Sequence, residues 1–422
     1  MEFRHGTLHI GGVSVNDIVD RFGTPAYIYD ASQILGQIAK VRRAFSGLPL
    51  RPFYAMKANS SLALLRLIRE NGFGCDAVSP GEIFLAEHAG YLPQEIWFTC
   101  SNVSDDDLRA IPDPRIVINV NSMSEIDRCL RLELPNPIAL RVNPDVGAGH
   151  HVDVVTAGSG VKFGIDVAEI DAARMVVEDS GREVVGLHAH IGSGIDSIDP
   201  LLQSAPTLIE LAPDFDHLRW INFGGGIGVP YRPGDREFPI DEYGRGLARV
   251  AGDYLNAHGF HAIVEPGRYL VASSGVLVSR VTARMISGGT DWIGCDTGFN
   301  HLVRPSKYGA YHHIVNATRG SSASLRETFD DSKMTDDVVV AGNLCESGDV
   351  FTRDEDGNPM TRHIDRTSVG DLLALCEAGA YGFSMGSHYN ARLMPPEVLA
   401  TDGKFELIRE RQSFDDLIRG ME

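Results

Sequence analysis

The sequence predicts an α/β protein: a (β/α)8, or TIM, barrel followed by a mostly antiparallel β domain. Two observations predict it. Up to about residue 270, short apolar runs alternate with amphipathic stretches, the pattern of parallel strands joined by helices. Beyond that point the apolar runs follow one another, separated by glycine-rich and charged loops with few helices. The barrel is assigned to 24–270 and the β domain to 271–422. The N-terminal run TLHIGGVSV also reads as β, which joins residues 1–23 to the second domain.

Eight strand candidates begin near Phe53, Cys75, Ile96, Ile116, Ile138, Val185, Leu218 and Ala262. The clearest connecting helix is SSLALLRLIRENG, with a Ser cap, Leu62, Leu65 and Ile68 on one face, and a Gly72 stop. Eight such units close a TIM barrel. In the second domain GVLVSRVTARMI, DWIGCDTG, DDVVVAGN, DLLALCEAGAY and KFELIRER read as strands, and TRDEDGNPMTRH reads as a charged loop.

Composition narrows the function. The chain has 422 residues, enough for two domains. Hydrophobic residues make up 43% and charged residues 23%, so a large core and a deep pocket are affordable. A net charge of −19 repels phosphate backbones and anionic lipid heads, which weighs against nucleic acid and membrane partners. Six cysteines are scattered without a CxxC pair, which weighs against structural zinc and a disulfide framework and fits a reducing compartment. The start, MEFRHGTLHIGG, lacks the apolar run of a signal peptide, and no stretch is apolar enough to span a bilayer. The expectation is a cytoplasmic protein.

A TIM barrel carries its active site at the C-terminal ends of its strands. The first strand ends at Lys57. The sixth ends at His190, followed by Gly192 and Ser193. The seventh ends in Gly224, Gly225 and Gly226. The eighth ends at Glu265, with Arg268 just beyond. A desolvated lysine amine can form a Schiff base with an aldehyde cofactor. Successive glycines let backbone N–H groups approach a phosphate, and an imidazole can stack on a flat ring. A carboxylate beside a pyridine nitrogen keeps that nitrogen protonated, so the ring accepts electrons. Together the four describe a site for pyridoxal phosphate. Each alone has a plainer reading: a surface lysine, a tight turn, a satisfied core histidine.

The motifs YAMKAN, HAHIGSG, NFGGGIGVPY, EPGR, NLCESGD and GAYGFSMGSHYNAR resemble those of the fold-type III pyridoxal-phosphate-dependent decarboxylases, and most closely the diaminopimelate decarboxylase family. The resemblance runs in order from about residue 20 to the end. It implies an alanine racemase/ornithine decarboxylase-like fold, a head-to-tail homodimer with shared active sites, pyridoxal 5'-phosphate as cofactor, and decarboxylation of a small amino acid. By that resemblance the substrate is meso-diaminopimelate and the product L-lysine, a step of lysine biosynthesis. Lys57 would hold the cofactor, and His190 would stack on its ring. Ser193, Gly225 and Gly226 would hold the phosphate, and Gly267, in the same motif as Glu265 and Arg268, would also bind the cofactor. Glu265 would pair with the pyridine nitrogen. Arg268, Arg304 and Tyr308 would bind the substrate's distal carboxylate or the phosphate side. Cys345 and Glu346 would reach in from the partner subunit, Cys345 for proton transfer and Glu346 to read the distal amino group. Tyr381 would complete both sets of contacts.

Other readings stand beside this one. His188 and His190 form an HxH on a strand, as two metal ligands would, and His150–His151 and His312–His313 add further imidazoles. No ordered carboxylate set accompanies them, and adjacent histidines on a strand diverge. A non-catalytic carrier of the cofactor is a second alternative, against which the Cys345–Glu346 pair and the β domain argue. A third keeps the chemistry on a related or carrier-attached amino acid, because Val161, Asn343, Gly386, His388 and Leu393–Met394 depart from the family's usual residues. Plainer readings of the β-domain residues make Arg304 a loop arginine, Cys345 a small buried hydrophobe, and Glu346 and Asp349 turn residues. They make Asp330–Asp331 and Asp336–Asp337 a solvated loop, and Met385 and Met394 packing.

Overall fold

The computed structural model describes residues 1–99, 101–149, 156–158, 160–326, 335–354 and 356–421. Cys100, His150, His151, Asp330 and Asp331 lie outside them. The chain divides into two compact units, Gly36–Val229 with Glu237–Tyr269, and Met1–Leu35 with Pro230–Arg236 and Leu270–Glu422.

The first unit is the barrel. Its strands are β1 (Phe53–Ala55), β2 (Gly74–Ala77), β3 (Ile96–Thr99), β4 (Val117–Val120), β5 (Ile138–Asn143), β6 (Val184–His188), β7 (Trp220–Asn222) and β8 (His261–Ile263). They pair in parallel in that order, each with its neighbour. A parallel bridge from Leu50 to Ala262 and a 2.9 Å bond from the Phe53 N–H to the Val264 carbonyl close the ring. Every strand begins within about two residues of its expected start. The reason is that strands covered on both faces must be apolar nearly throughout, which makes them legible as continuous runs.

The barrel interior is filled by side chains. Phe53, Trp97, Val117, Ala139, Val185 and Ile263 form one buried cluster, with Trp220 against it. Trp97 meets Phe53 edge-on at 6.0 Å and Trp220 at 6.1 Å, a favoured aromatic geometry. Gly186 makes room for the indole: a Cβ there would lie 2.8 Å from Trp97 Cη2. The helix Leu62–Glu70 buries Leu64, Leu65 and Ile68. Leu64, not Leu62, completes the apolar stripe, because two residues turn the helix by about 200°. Ser61 precedes the helix without a side-chain capping bond.

The second unit is built on a mostly antiparallel sheet. Strand Gly275–Ser287 pairs antiparallel with Thr290–Cys295, Leu372–Leu375 and Ala26–Asp30. Ala26–Asp30 pairs in parallel with Glu397–Thr401, which turns back into Lys404–Arg409. The first residues form a separate three-stranded sheet. Its Leu8 and Ile10 share a core with Ile28, Val276, Val278, Val315, Ala374 and Val398. Asp336 is not in a solvated loop. It lies in strand Thr335–Ala341, ion-paired with Arg284 at 2.9 Å, and accepts the Thr367 N–H at 3.0 Å.

Gly186→Ala is expected to destabilise the protein by about 1–3 kcal/mol, since the buried Trp97 ring has no free space to yield. A lower urea unfolding midpoint, with the slope unchanged, is the check.

Candidate active site

Each barrel strand leaves its chemistry at the same end. Lys57 lies in a single turn of 3-10 helix, Met56–Ala58, directly after β1. Gly267 packs on that turn, its would-be Cβ 3.0 Å from the Ala55 carbonyl and 3.2 Å from Ala58 Cβ. His190 follows β6, and its Nδ1 accepts the Gly225 N–H at 3.1 Å. The Gly224–Gly226 turn after β7 tolerates no side chain: a Cβ would lie 2.4, 2.1 and 2.4 Å from the carbonyls of Ala189, Glu265 and Gly192. Gly224 and Gly226 also need positive φ, at 68° and 94°. After β8 the Arg268 guanidinium donates to Ser193 Oγ at 3.0 Å. Lys57, His190, Ser193, the glycine turn, Glu265 and Arg268 thus stand on neighbouring strand ends of one unit.

Below these residues runs a chain of polar side chains, of which sequence reasoning singled out only His188, and as half of an HxH pair. Asp76, Thr99, Asn119, Arg141, His188 and Asn222 come one from each of β2 to β7, and all are buried. The Thr99 hydroxyl donates to Asp76. The Asn119 amide donates to Thr99 Oγ1 at 3.3 Å and to His188 Nδ1 at 2.7 Å. His188 Nε2 faces Glu265 Oε2 at 3.4 Å, and Asn222 donates to Glu265 Oε1 at 2.6 Å. Arg141 reaches the His190 and Thr156 carbonyls and lies over the Phe163 ring at 4.7 Å. Buried polar groups seek partners, and most of these find one another. The available signal was a lone polar residue inside each apolar strand, as in GCDA, VINV and WIN.

The charges follow from that burial. Burial lowers His190 well below the ordinary imidazole range, and the positive Lys57 and Arg141 add to it, so the ring is neutral. Burial likewise lowers His188, against the opposing pull of Glu265. Burial pushes Asp76 up to about 8, helped by the negative Glu265. Burial also works against ionisation of Glu265, but the nearby His188 and the Asn222 hydrogen bond oppose it, and the carboxyl stays below its usual range. Of two buried carboxyls, one keeps its proton and the other does not. Both ring nitrogens of His188 face protein partners, so the HxH pair does not offer the geometry of two metal ligands. Among the described residues no group of three or more His, Cys, Asp and Glu side chains could hold a metal ion.

The second unit carries the remaining expected residues. Arg304 is not a loop arginine. It opens the helix Arg304–Tyr308, is buried, meets His312 Nε2 at 2.8 Å and lies 4.4 Å over the Tyr231 ring. His312 is held in turn by a 2.8 Å bond from Nδ1 to the Cys376 carbonyl. Tyr308 is half-buried at the end of that helix. Cys345 is exposed, not a buried hydrophobe, and its N–H donates to Asn390 Oδ1 at 2.7 Å. Glu346 is exposed and hydrogen-bonded to Tyr389. Asp349 is a buried turn carboxylate that accepts the N–H groups of Phe299 at 2.7 Å and Leu344 at 2.8 Å. Tyr381 adopts a positive φ of 56°, a conformation a tyrosine holds only under constraint. Three departures from the usual motif form one packing arrangement. A Cβ at Gly386 would lie 2.3 Å from Met394 Cε, and His388 and the Met394 N–H share the Gln412 oxygen at 2.6 and 2.9 Å.

A family model described as pyridoxal-dependent decarboxylase, pyridoxal binding domain, matches residues 31–272, more than half of the chain. The chain is 41% identical to the diaminopimelate decarboxylase of Methanothermobacter thermautotrophicus, over 98% of this chain and 95% of that protein. It is 39% identical to the diaminopimelate decarboxylase of Escherichia coli, over 94% of this chain and 93% of that one. Among solved structures it is similar to diaminopimelate decarboxylase from M. jannaschii in complex with L-lysine. The TM-score is 0.86 and the identity 32%, with 99% of this chain and 96% of that chain covered.

Asp76 supplies a pH test. A carboxyl raised by burial contributes stability that is complete below its unfolded value and is lost as pH rises through its folded one. Asp76 runs from an ordinary 3.8 to about 8, so the window is about pH 4 to 8. Asp76→Asn keeps an acceptor for Thr99 and removes the ionisation. The variant is expected to gain in melting temperature relative to the parent as pH rises through that window, read by calorimetry at fixed ionic strength.

Proposed function

The chain belongs to the diaminopimelate decarboxylase family of pyridoxal-dependent decarboxylases, and from that premise we propose how its own residues bind pyridoxal 5'-phosphate and release one carboxyl group of meso-diaminopimelate as CO2. The product is L-lysine, and the enzyme is a carboxy-lyase. The observation that carries the reading is the set of Lys57, His190, the Gly224–Gly226 turn and Glu265 at adjacent strand ends. The donor set fits the cofactor: a primary amine, a flat neutral ring, a turn with no side chains in the way, a hydroxyl beside a guanidinium, and a buried anionic carboxylate.

When bound, the cofactor supplies an electron sink for the pair released as CO2 leaves. The protein supplies orientation and charge. Lys57 Nζ holds the aldehyde end. His190, neutral and tied to the Gly225 N–H, presents its ring as a platform without adding positive charge. Ser193, Gly226 and Arg268 hold the phosphate, with Arg268 and Ser193 already fixed on each other, while Gly225, expected in the same role, gives its N–H to His190. Glu265 keeps a proton at the pyridine nitrogen, because an acceptor held anionic attracts it.

The remaining assignments concern the substrate. Arg304 and Tyr308 bind the distal carboxylate, Glu346 the distal amino group, and Tyr381 closes the contacts. The Cys345 thiol delivers a proton to the carbon that lost CO2. We assign Cys345 and Glu346 to a site shared with a second copy of the chain in a homodimer, and their exposure supports that assignment. The described cysteines are all free, which suits the reducing cytoplasm. No helix among the described residues is long and apolar enough to cross a membrane.

Purified protein with added cofactor, offered meso-diaminopimelate, lysine, ornithine and arginine in turn, is expected to release CO2 from the first alone. Release confined to another member of the series overturns the substrate. Lys57→Ala is expected to reduce turnover to background and to abolish the visible absorption of the bound cofactor, read by spectrophotometry.

A further inference from the structure

We propose that His188 is a positioning residue for the reaction: oriented by Asn119, it presents its Nε2–H to Glu265 and holds that carboxylate in one plane as an acceptor. The proposal rests on the reading of Glu265 as the partner of the cofactor's ring nitrogen, and it extends that reading to a residue that touches neither cofactor nor substrate.

A neutral imidazole carries a single N–H, and its position is set by what the other nitrogen meets. Thr99 donates to a carboxyl oxygen of Asp76 and accepts from the Asn119 amide at 3.3 Å. That turns the NH2 of Asn119 toward Thr99 and, at 2.7 Å, toward His188 Nδ1. Nδ1 is therefore the lone pair, and the proton sits on Nε2, on the side of Glu265 at 3.4 Å. The opposite tautomer would set two lone pairs against each other in a space without water.

Glu265 is then gripped from both sides. Asn222 donates to Oε1 at 2.6 Å and His188 Nε2 stands 3.4 Å from Oε2, and the two come from the ends of neighbouring strands in register, His188 opposite Asn222. The charged and titratable groups facing His188 are Glu265, Arg141, Lys57 and the His190 ring, which lies nearly parallel at 6.4 Å. Those facing Glu265 include His188, His190, Asp76 and Arg141. Arg141 donates to backbone carbonyls and His190 accepts from Gly225, whereas Asn222 donates to Glu265 and His188 Nε2 faces it. A hydrogen bond to the charged form makes a carboxylate less basic. Losing the His188 donor therefore raises the pH at which Glu265 takes up a proton.

The test uses the holoenzyme, labelled with nitrogen-15 histidine, and the variants His188→Phe, Asn119→Ala and Glu265→Gln, each checked for folding by circular dichroism. The His188 signals, assigned by their absence in His188→Phe, are expected to show a protonated Nε2 and a bare Nδ1. In Asn119→Ala the other tautomer is expected to appear. In His188→Phe the acid limb of kcat/KM is expected to move up by about one pH unit, with kcat lower and KM within about twofold. Asn119→Ala is expected to shift the limb in the same direction by less, and it decides the matter if His188→Phe does not fold. A bare Nε2 in the parent enzyme overturns the proposal. So does an acid limb that stays in place in a folded variant while Glu265→Gln is inactive. Full activity in Glu265→Gln overturns the underlying assignment of Glu265 instead.

Discussion

A carboxylate cut off from water must be held by other side chains, and that constraint organises the interior of this barrel. Glu265 lies buried two residues beyond the last strand. Removing one partner from a buried charge typically costs about 3–5 kcal/mol, so its hydrogen bonds are not optional. Asn222 supplies one, and His188 Nε2 stands 3.4 Å from the other oxygen. His188 in turn needs Asn119, Asn119 needs Thr99, and Thr99 ends on Asp76. Because Asp76 lies in the same dry interior, its proton stays on and only one of the two carboxyls is charged. The anion is thus confined to the strand end where an electron-poor ring would use it.

The same interior sets the character of the neighbouring groups. A neutral His190 can lie flat against an aromatic cofactor without competing for the negative charge of Glu265. The glycine turn brings three backbone segments within distances that no side chain would allow. Orientation is therefore built into strands and tight turns before any ligand arrives, which is where preorganised catalysis draws its advantage.

The strands were legible because they are apolar on both faces, and the site because Lys57, His190, Gly224–Gly226 and Glu265 punctuate their ends. The polar chain was not legible. Thr99, Asn119 and Asn222 look like ordinary residues in apolar runs, and only the closing of the ring shows that they converge. His188 looked like half of a metal pair, since the sequence gives its strand face but not its neighbours. Leu62 looked like core, because the helix phase depends on where the first turn begins. In the second unit Asp336 looked like loop, its partner Arg284 being far away in sequence. Arg304 showed its burial only through His312 and Tyr231. The departures at Gly386, His388 and Met394 suggested a changed pocket one by one, whereas in three dimensions they pack on each other.

The central claim is that one amine at the end of β1 carries the cofactor. The chain has six lysines: Lys40, Lys57, Lys162, Lys307, Lys333 and Lys404. Reducing the holoenzyme with borohydride and mapping its peptides by mass spectrometry reports which of them is joined to the phosphopyridoxyl group. The account predicts a stoichiometric adduct on Lys57 alone. A stoichiometric adduct on any other lysine, with Lys57 unmodified, contradicts it.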